Sequence, residues 1–162
     1  MLIRFVKLTD ERHALEIERE HGQRERVECE TRSYLLHDLL HLAVESEGAL
    51  AGGFWGRLAA GTTLAEMNDR SKPVMPESAE LAAIEQLVGA MHGATKGLRP
   101  EELVPGMRRF AEALGQSLPD WLTEQFVARV QARLRRFVGH WKATPYGGTM
   151  QLSWPSSGEG PI

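Results

Sequence analysis

His37 and His41 lie four residues apart in a segment, Glu30 to Glu45, that also carries Tyr34, Asp38 and a glutamate at each end. On a helix advancing about 100° per residue, these six groups fall within an arc of about 100°. Leu35, Leu36, Leu39, Leu40, Leu42, Ala43 and Val44 occupy the rest of the circumference. A helix apolar over most of its surface is a buried one. Its polar arc therefore faces either water or an internal site. Solvated arcs are built largely from Lys, Arg, Glu and Gln, yet no Lys or Arg occurs between Ser33 and Gly56. Imidazoles, a phenol and carboxylates are instead the groups of metal ligation and proton transfer.

Imidazoles one turn apart are neighbours on one helical face and can both reach a single ion at about 2.0–2.1 Å. Two His and a carboxylate would leave coordination positions open, the arrangement used for Lewis-acid and metal-hydroxide chemistry. Glu45 is not an easy ligand to an ion held by His37, because eight residues of helix span about 12 Å. Asp38, or a group from a second helix, is nearer. A second helix is expected from about Glu77 to about Met91, with Leu81, Ile84, Leu87, Val88 and Met91 on one stripe. Glu85 and His92 share a face of it, within about 20° of each other. The candidate metal ligands are accordingly His37, Asp38, His41 and His92. Glu45, Glu85 and Tyr34 are candidate catalytic groups: either glutamate as general base, the tyrosine as a hydroxyl beside a substrate. Glu30 and Glu45 are also placed to orient the imidazoles. The expected cofactor is a divalent ion, Zn or Fe. His92 precedes Gly93 and also reads as a helix-terminal residue favoured by the dipole.

His37-Asp38-Leu39-Leu40-His41 resembles the HDxxH segment of the ubiquinone-biosynthesis proteins that carry a metal-binding HDxxH…E motif. The likeness covers five residues of 162. It implies His37, Asp38 and His41 as ligands and a later glutamate at a place where this chain has Gly53. His37-Asp38 is also similar to the pair of HD-type phosphohydrolases, whose further His and Asp would have to come from His13 or His21 and from Asp69 or Asp120.

Two functions from different classes follow. One is a small metal-dependent enzyme, a hydrolase acting on a small molecule of unknown identity. The other is a non-catalytic, self-associating protein in which the His/Asp/Tyr cluster is a buried polar network. Its interface would be a strip of Gly48, Gly52 and Gly56 beside Phe54 and Trp55, since glycines four apart on a helix make a flat face. Tight packing at these glycines is preferred over ligand contact.

The positioning elements read as α+β: an N-terminal β-hairpin and a C-terminal strand form a small antiparallel sheet against a bundle of about four helices. Leu2–Leu8 and the alternating Ala14–Glu20 are the hairpin, turned by Thr9–Arg12. His13 and His21, flanking the second strand, are expected to face solvent. After Gly22 the pattern reads as helical, leading into the central helix. Thr63-Leu64-Ala65-Glu66 has capping-box form. Ser71–Pro76 reads as an extended linker, and Val104-Pro105-Gly106 as a break before a short helix from Met107 to Leu114. Ser117 and Pro119 open a long last helix to Lys142, with Arg129, Arg133, Arg136 and His140 as a solvated basic stripe. Thr149–Trp154 alternates as the final strand.

The chain is of a length for one domain, expected over 1–155, with 156–162 as a mobile tail. A net charge of −3 gives no bulk attraction to nucleic acid. One cysteine, Cys29, rules out an intrachain disulfide framework and fits a reducing compartment. No run reaches the roughly 18 apolar residues of a membrane span, and the N-terminus lacks a signal-peptide pattern, so the expected location is cytoplasmic.

Overall fold

A computed structural model describes residues 1–67, 78–93 and 99–155. The expected linker at Ser71–Pro76 and the expected tail at 156–162 lie outside these residues. The fold is α+β, with a four-stranded antiparallel sheet in the order β3-β2-β1-β4 and helices packed on one face.

The hairpin is formed by β1 (Leu2–Lys7) and β2 (Arg12–Glu18), and β4 (Thr149–Ser153) adds to the free side of β1. Register puts Ile3 against Ile17 and Leu152, and Phe5 against Leu15 and Met150. These side chains make the buried inner face. The outer face is charged, with Arg4 and Arg24 both pairing with Glu18, and Arg26 with Glu16.

The stretch after Gly22 is not helical but a strand, β3 (Arg24–Glu30), paired along β2. Its alternation is written in charge, with Arg24, Arg26, Glu28 and Glu30 outward and Glu25, Val27 and Cys29 half-buried. Only two apolar residues mark its inner face, too few to show period two. Gly22, with φ of 78°, makes the left-handed turn into it.

His13 is fully buried rather than solvent-facing. Strand β2 begins at Arg12, which puts His13 in phase with Leu15 and Ile17 on the inner face. Its ring packs against Phe5 and Trp141 at centroid distances of 6.0 and 5.9 Å, and Nδ1 lies 3.3 Å from Thr31 Oγ1. His21 is exposed, as expected.

The central helix also starts later than the Glu30 expected. Glu30 ends β3, a π-helical turn covers Thr31–Leu35, and α1 runs from Leu36 to Gly48. Wider winding in that turn removes Glu30 from the histidine arc, and Glu30 accepts a hydrogen bond from Ser33 instead. Within α1, Leu39, Leu40, Leu42, Ala43 and Val44 are buried as expected, with other helices packed against α1, while Leu36 is half-buried.

Ala49, with φ of 49°, ends α1, and a tight turn leads to α2 (Phe54–Ala59). Gly48, Gly52 and Gly56 therefore do not share one helix. Close packing is nonetheless the use of Gly56, where a Cβ would overlap the backbone of Ala51. Trp55 is fully buried and donates its indole N–H to the Asp38 carbonyl at 3.1 Å, so it offers no surface for self-association.

The short α3 (Leu64–Met67) has the expected Thr63/Glu66 capping box. Helix α4 (Ala79–Gly93) lays Ile84, Leu87 and Val88 against α1. Helix α5 is one element, Pro100–Ala113, not a break followed by a short helix. Pro100 starts it, with Glu102 accepting from the backbone N–H and guanidinium of Arg99, and Pro105, early in the helix, removes one backbone hydrogen bond without ending it. Helix α6 (Glu124–Ala143) is capped by Thr123, whose Oγ1 accepts from the Phe126 N–H, so Ser117 and Pro119 lie outside it. One member of its basic stripe is not a solvated charge: Arg133 is buried and pairs with Glu47 of α1, which the exposed Arg129 also reaches. No helix among the described residues is long and apolar enough to cross a membrane.

Candidate metal centre

His37 and His41 lie on successive turns of α1 with ring centroids 4.7 Å apart. Glu85 comes to them from α4, which is seated by its apolar stripe and by Glu80, whose carboxylate accepts the Gly52 N–H at 2.7 Å. One potential ligand atom from each of His37, His41 and Glu85 lies within 4.8 Å of the other two. That separation suits three donors around one ion. The imidazole-imidazole-carboxylate set belongs to the chemistry of Zn and of the non-haem iron type.

The two histidines differ in setting. His37 is open, with 43% of its side chain exposed, and Glu85 with 49%. His41 is buried, its Nδ1 3.2 Å from Glu45 Oε1 and its Nε2 3.5 Å from Glu85 Oε1. A centre here would thus be walled on the α1 side and accessible on the other.

Glu45 is fully buried and does not reach the accessible side. Its carboxylate accepts backbone N–H groups of Phe54 and Trp55 at 2.8 Å each and of Gly56 at 3.2 Å. Gly53 precedes them because a Cβ at that position would overlap the carboxylate. Phe54 turns its ring toward His41, with centroids 6.1 Å apart.

The remaining candidates surround the cluster without joining it. Asp38 places Oδ1 3.7 Å from His37 Nδ1, but its carboxylate is not among the ligand atoms that come within 4.8 Å of one another. His92 stands edge-on to His37 at 6.1 Å between centroids. Tyr34 is in the π-helical turn and is exposed.

Electrostatics tie the buried part together. Burial of the His41 ring opposes its charge, but hydrogen bonds to Glu45 and Glu85 outweigh burial and push its pKa up to about 9. Burial raises the Glu45 carboxyl, against the pull of His41 and of the backbone N–H groups. Glu85 is held below the ordinary carboxyl range, chiefly by its hydrogen bond with His41. The pair of Glu45 and Gly53 escaped the sequence reading. Its only trace there is the doubled glycine before Phe54-Trp55, which spacing alone does not link to Glu45.

Among known proteins, the chain matches no family model, no curated protein and no solved structure.

Proposed function

We propose that the protein binds a divalent transition ion, Zn or Fe, through His37, His41 and Glu85, and uses it as a hydrolase of a small molecule. The supporting observation is that donors from two separate helices meet within 4.8 Å, in the combination of two imidazoles and a carboxylate. Three protein ligands would leave a coordination position free, and an ion held by them would supply Lewis-acid activation of water for hydrolysis. The exposed side of the cluster gives a substrate its approach. His92 and Tyr34 are the nearby groups for holding a substrate or moving its proton, whereas Glu45, enclosed on all sides, serves His41 and not the substrate.

A second reading rests on the His41 hydrogen bonds. A charged imidazole between Glu45 and Glu85 is a satisfied buried network that needs no ion. Elemental analysis of the purified protein, zinc titration, and thermal melts with and without chelator separate the two. Bound metal is expected, with a melting temperature that chelator lowers and zinc restores. Metal-free protein that takes up neither zinc nor iron and melts unchanged with chelator would leave the network as the reading.

A further inference from the structure

We infer that Glu45 is a positioning residue for this centre, holding the neutral His41 ring with its proton on Nδ1 so that Nε2 is the free donor facing Glu85 and His37. This role rests on the metal-binding reading of the cluster. It follows from the direction of the hydrogen bonds. A backbone N–H can only donate, and three of them, from Phe54, Trp55 and Gly56, end on the two oxygens of Glu45. Both oxygens are thereby held as acceptors. The fourth neighbour, His41 Nδ1 at 3.2 Å from Oε1, then has to be the donor, because a ring lone pair facing a carboxylate oxygen is repulsive.

Neither group has water to fall back on, since Glu45 is fully buried and His41 is 2% exposed. A proton committed to Nδ1 leaves the lone pair of the neutral ring on Nε2. Glu85, 3.5 Å away and 49% exposed, is free to turn toward water or share an ion there, whereas the enclosed Glu45 has no such freedom. Metal-ligating histidines commonly have their second nitrogen fixed in this way by a carboxylate. The chain also makes room for the device. Gly53 has no side chain where the Glu45 carboxylate lies, and the turn after α1 brings the start of α2 back over Glu45.

Glu45→Gln is the informative variant. Its amide oxygen can still accept from Trp55 and Gly56, but its NH₂ would stand where Oε1 stood, donating to Nδ1 and leaving the Phe54 N–H without its acceptor. The neutral His41 ring would then carry its proton on Nε2, with no lone pair for an ion. Long-range ¹⁵N–¹H NMR of the metal-free protein, recorded above the pH at which the ring loses its second proton, reads the tautomer directly. Zinc affinity is measured by competition with a chromophoric chelator. We expect Nδ1 protonated in the wild type, Nε2 protonated in Glu45→Gln, and zinc affinity lower by about 10–100-fold in the variant. A neutral wild-type ring protonated on Nε2 overturns the inference, as does a folded Glu45→Gln protein that binds zinc like the wild type. If the variant does not fold, the wild-type spectrum decides alone. A wild-type ring protonated on Nδ1 in a protein that takes up no zinc upholds the hold of Glu45 on His41 and overturns the metal reading instead.

Discussion

The carboxylate of Glu45 occupies the space that a side chain at Gly53 would need. The backbone of Gly53 is itself ordinary, with φ of −83°, so its requirement for glycine comes from the neighbour and not from conformation. Gly53→Ala should therefore push Glu45 off its N–H donors. Overpacking costs about 1–3 kcal/mol, and a clear fall in melting temperature is expected. Glu45→Ala with Gly53→Ala relieves the overlap but leaves the N–H groups and His41 Nδ1 unpaired, so the double variant should remain destabilised. Unchanged melting of Gly53→Ala would show that the carboxylate has somewhere else to go.

Within the cluster the groups should rank by convergence. Glu85→Ala and His37→Ala should each weaken zinc binding strongly, while Asp38→Asn, whose carboxylate lies to one side, should keep it close to wild type. Isothermal titration with zinc provides the ranking. Asp38→Asn weaker than Glu85→Ala would move the centre toward the His37-Asp38 side.

Arg129→Glu with Arg133→Glu tests the link between α1 and α6. Glu47 holds both arginines, at 2.5 and 3.1 Å, and Arg133 is only 9% exposed. Charge reversal leaves the largely covered Glu47 facing like charges. Destabilisation of about 1–3 kcal/mol is expected from denaturant melts. A double variant as stable as the wild type would mean that the pairs are screened as ordinary surface ones are.

His13 makes stability depend on pH. Burial lowers its pKa, with Arg12 adding to this and Asp38 opposing it. Lys7 and Cys29 are its cross-strand neighbours, and Thr31 is bonded to Nδ1. The unfolded chain takes up the proton first as pH falls, so stability drops below the ordinary histidine value of about 6.5 and levels off only beneath the folded pKa. Melts from pH 7 downward, wild type against His13→Gln, isolate this contribution. Identical slopes in the two proteins would show that other groups carry the acid dependence.

Leu39→Asp should be the most damaging single change among these. Leu39 is 0% exposed on the side of α1 away from the histidines. An unpaired carboxylate there costs several kcal/mol against a domain stability of about 5–15 kcal/mol. Loss of cooperative unfolding is the expected result, and a soluble variant with wild-type melting would contradict the burial of that face.

Much of this was written locally. The period of the α1 side chains brings His37 and His41 to one face wherever the helix lies, and the apolar alternation of Leu15 and Ile17 marks a strand whatever its partners. The α4 stripe of Ile84, Leu87 and Val88 put Glu85 beside it by the same rule. Other features depended on neighbours. Strand β3 carries its alternation in charge, so only pairing with β2 revealed it, and the buried phase of His13 followed from where β2 begins. The π-helical turn at Thr31–Leu35 broke the constant phasing that had grouped Glu30 with the histidines. Which carboxylate meets the imidazoles was decided by packing: Glu85 arrives from α4, Glu45 is drawn inward by the N–H groups of α2, and Asp38 stays to one side. Spacing along a chain sets angles within one element. Distances between elements come only from how their apolar faces are buried together.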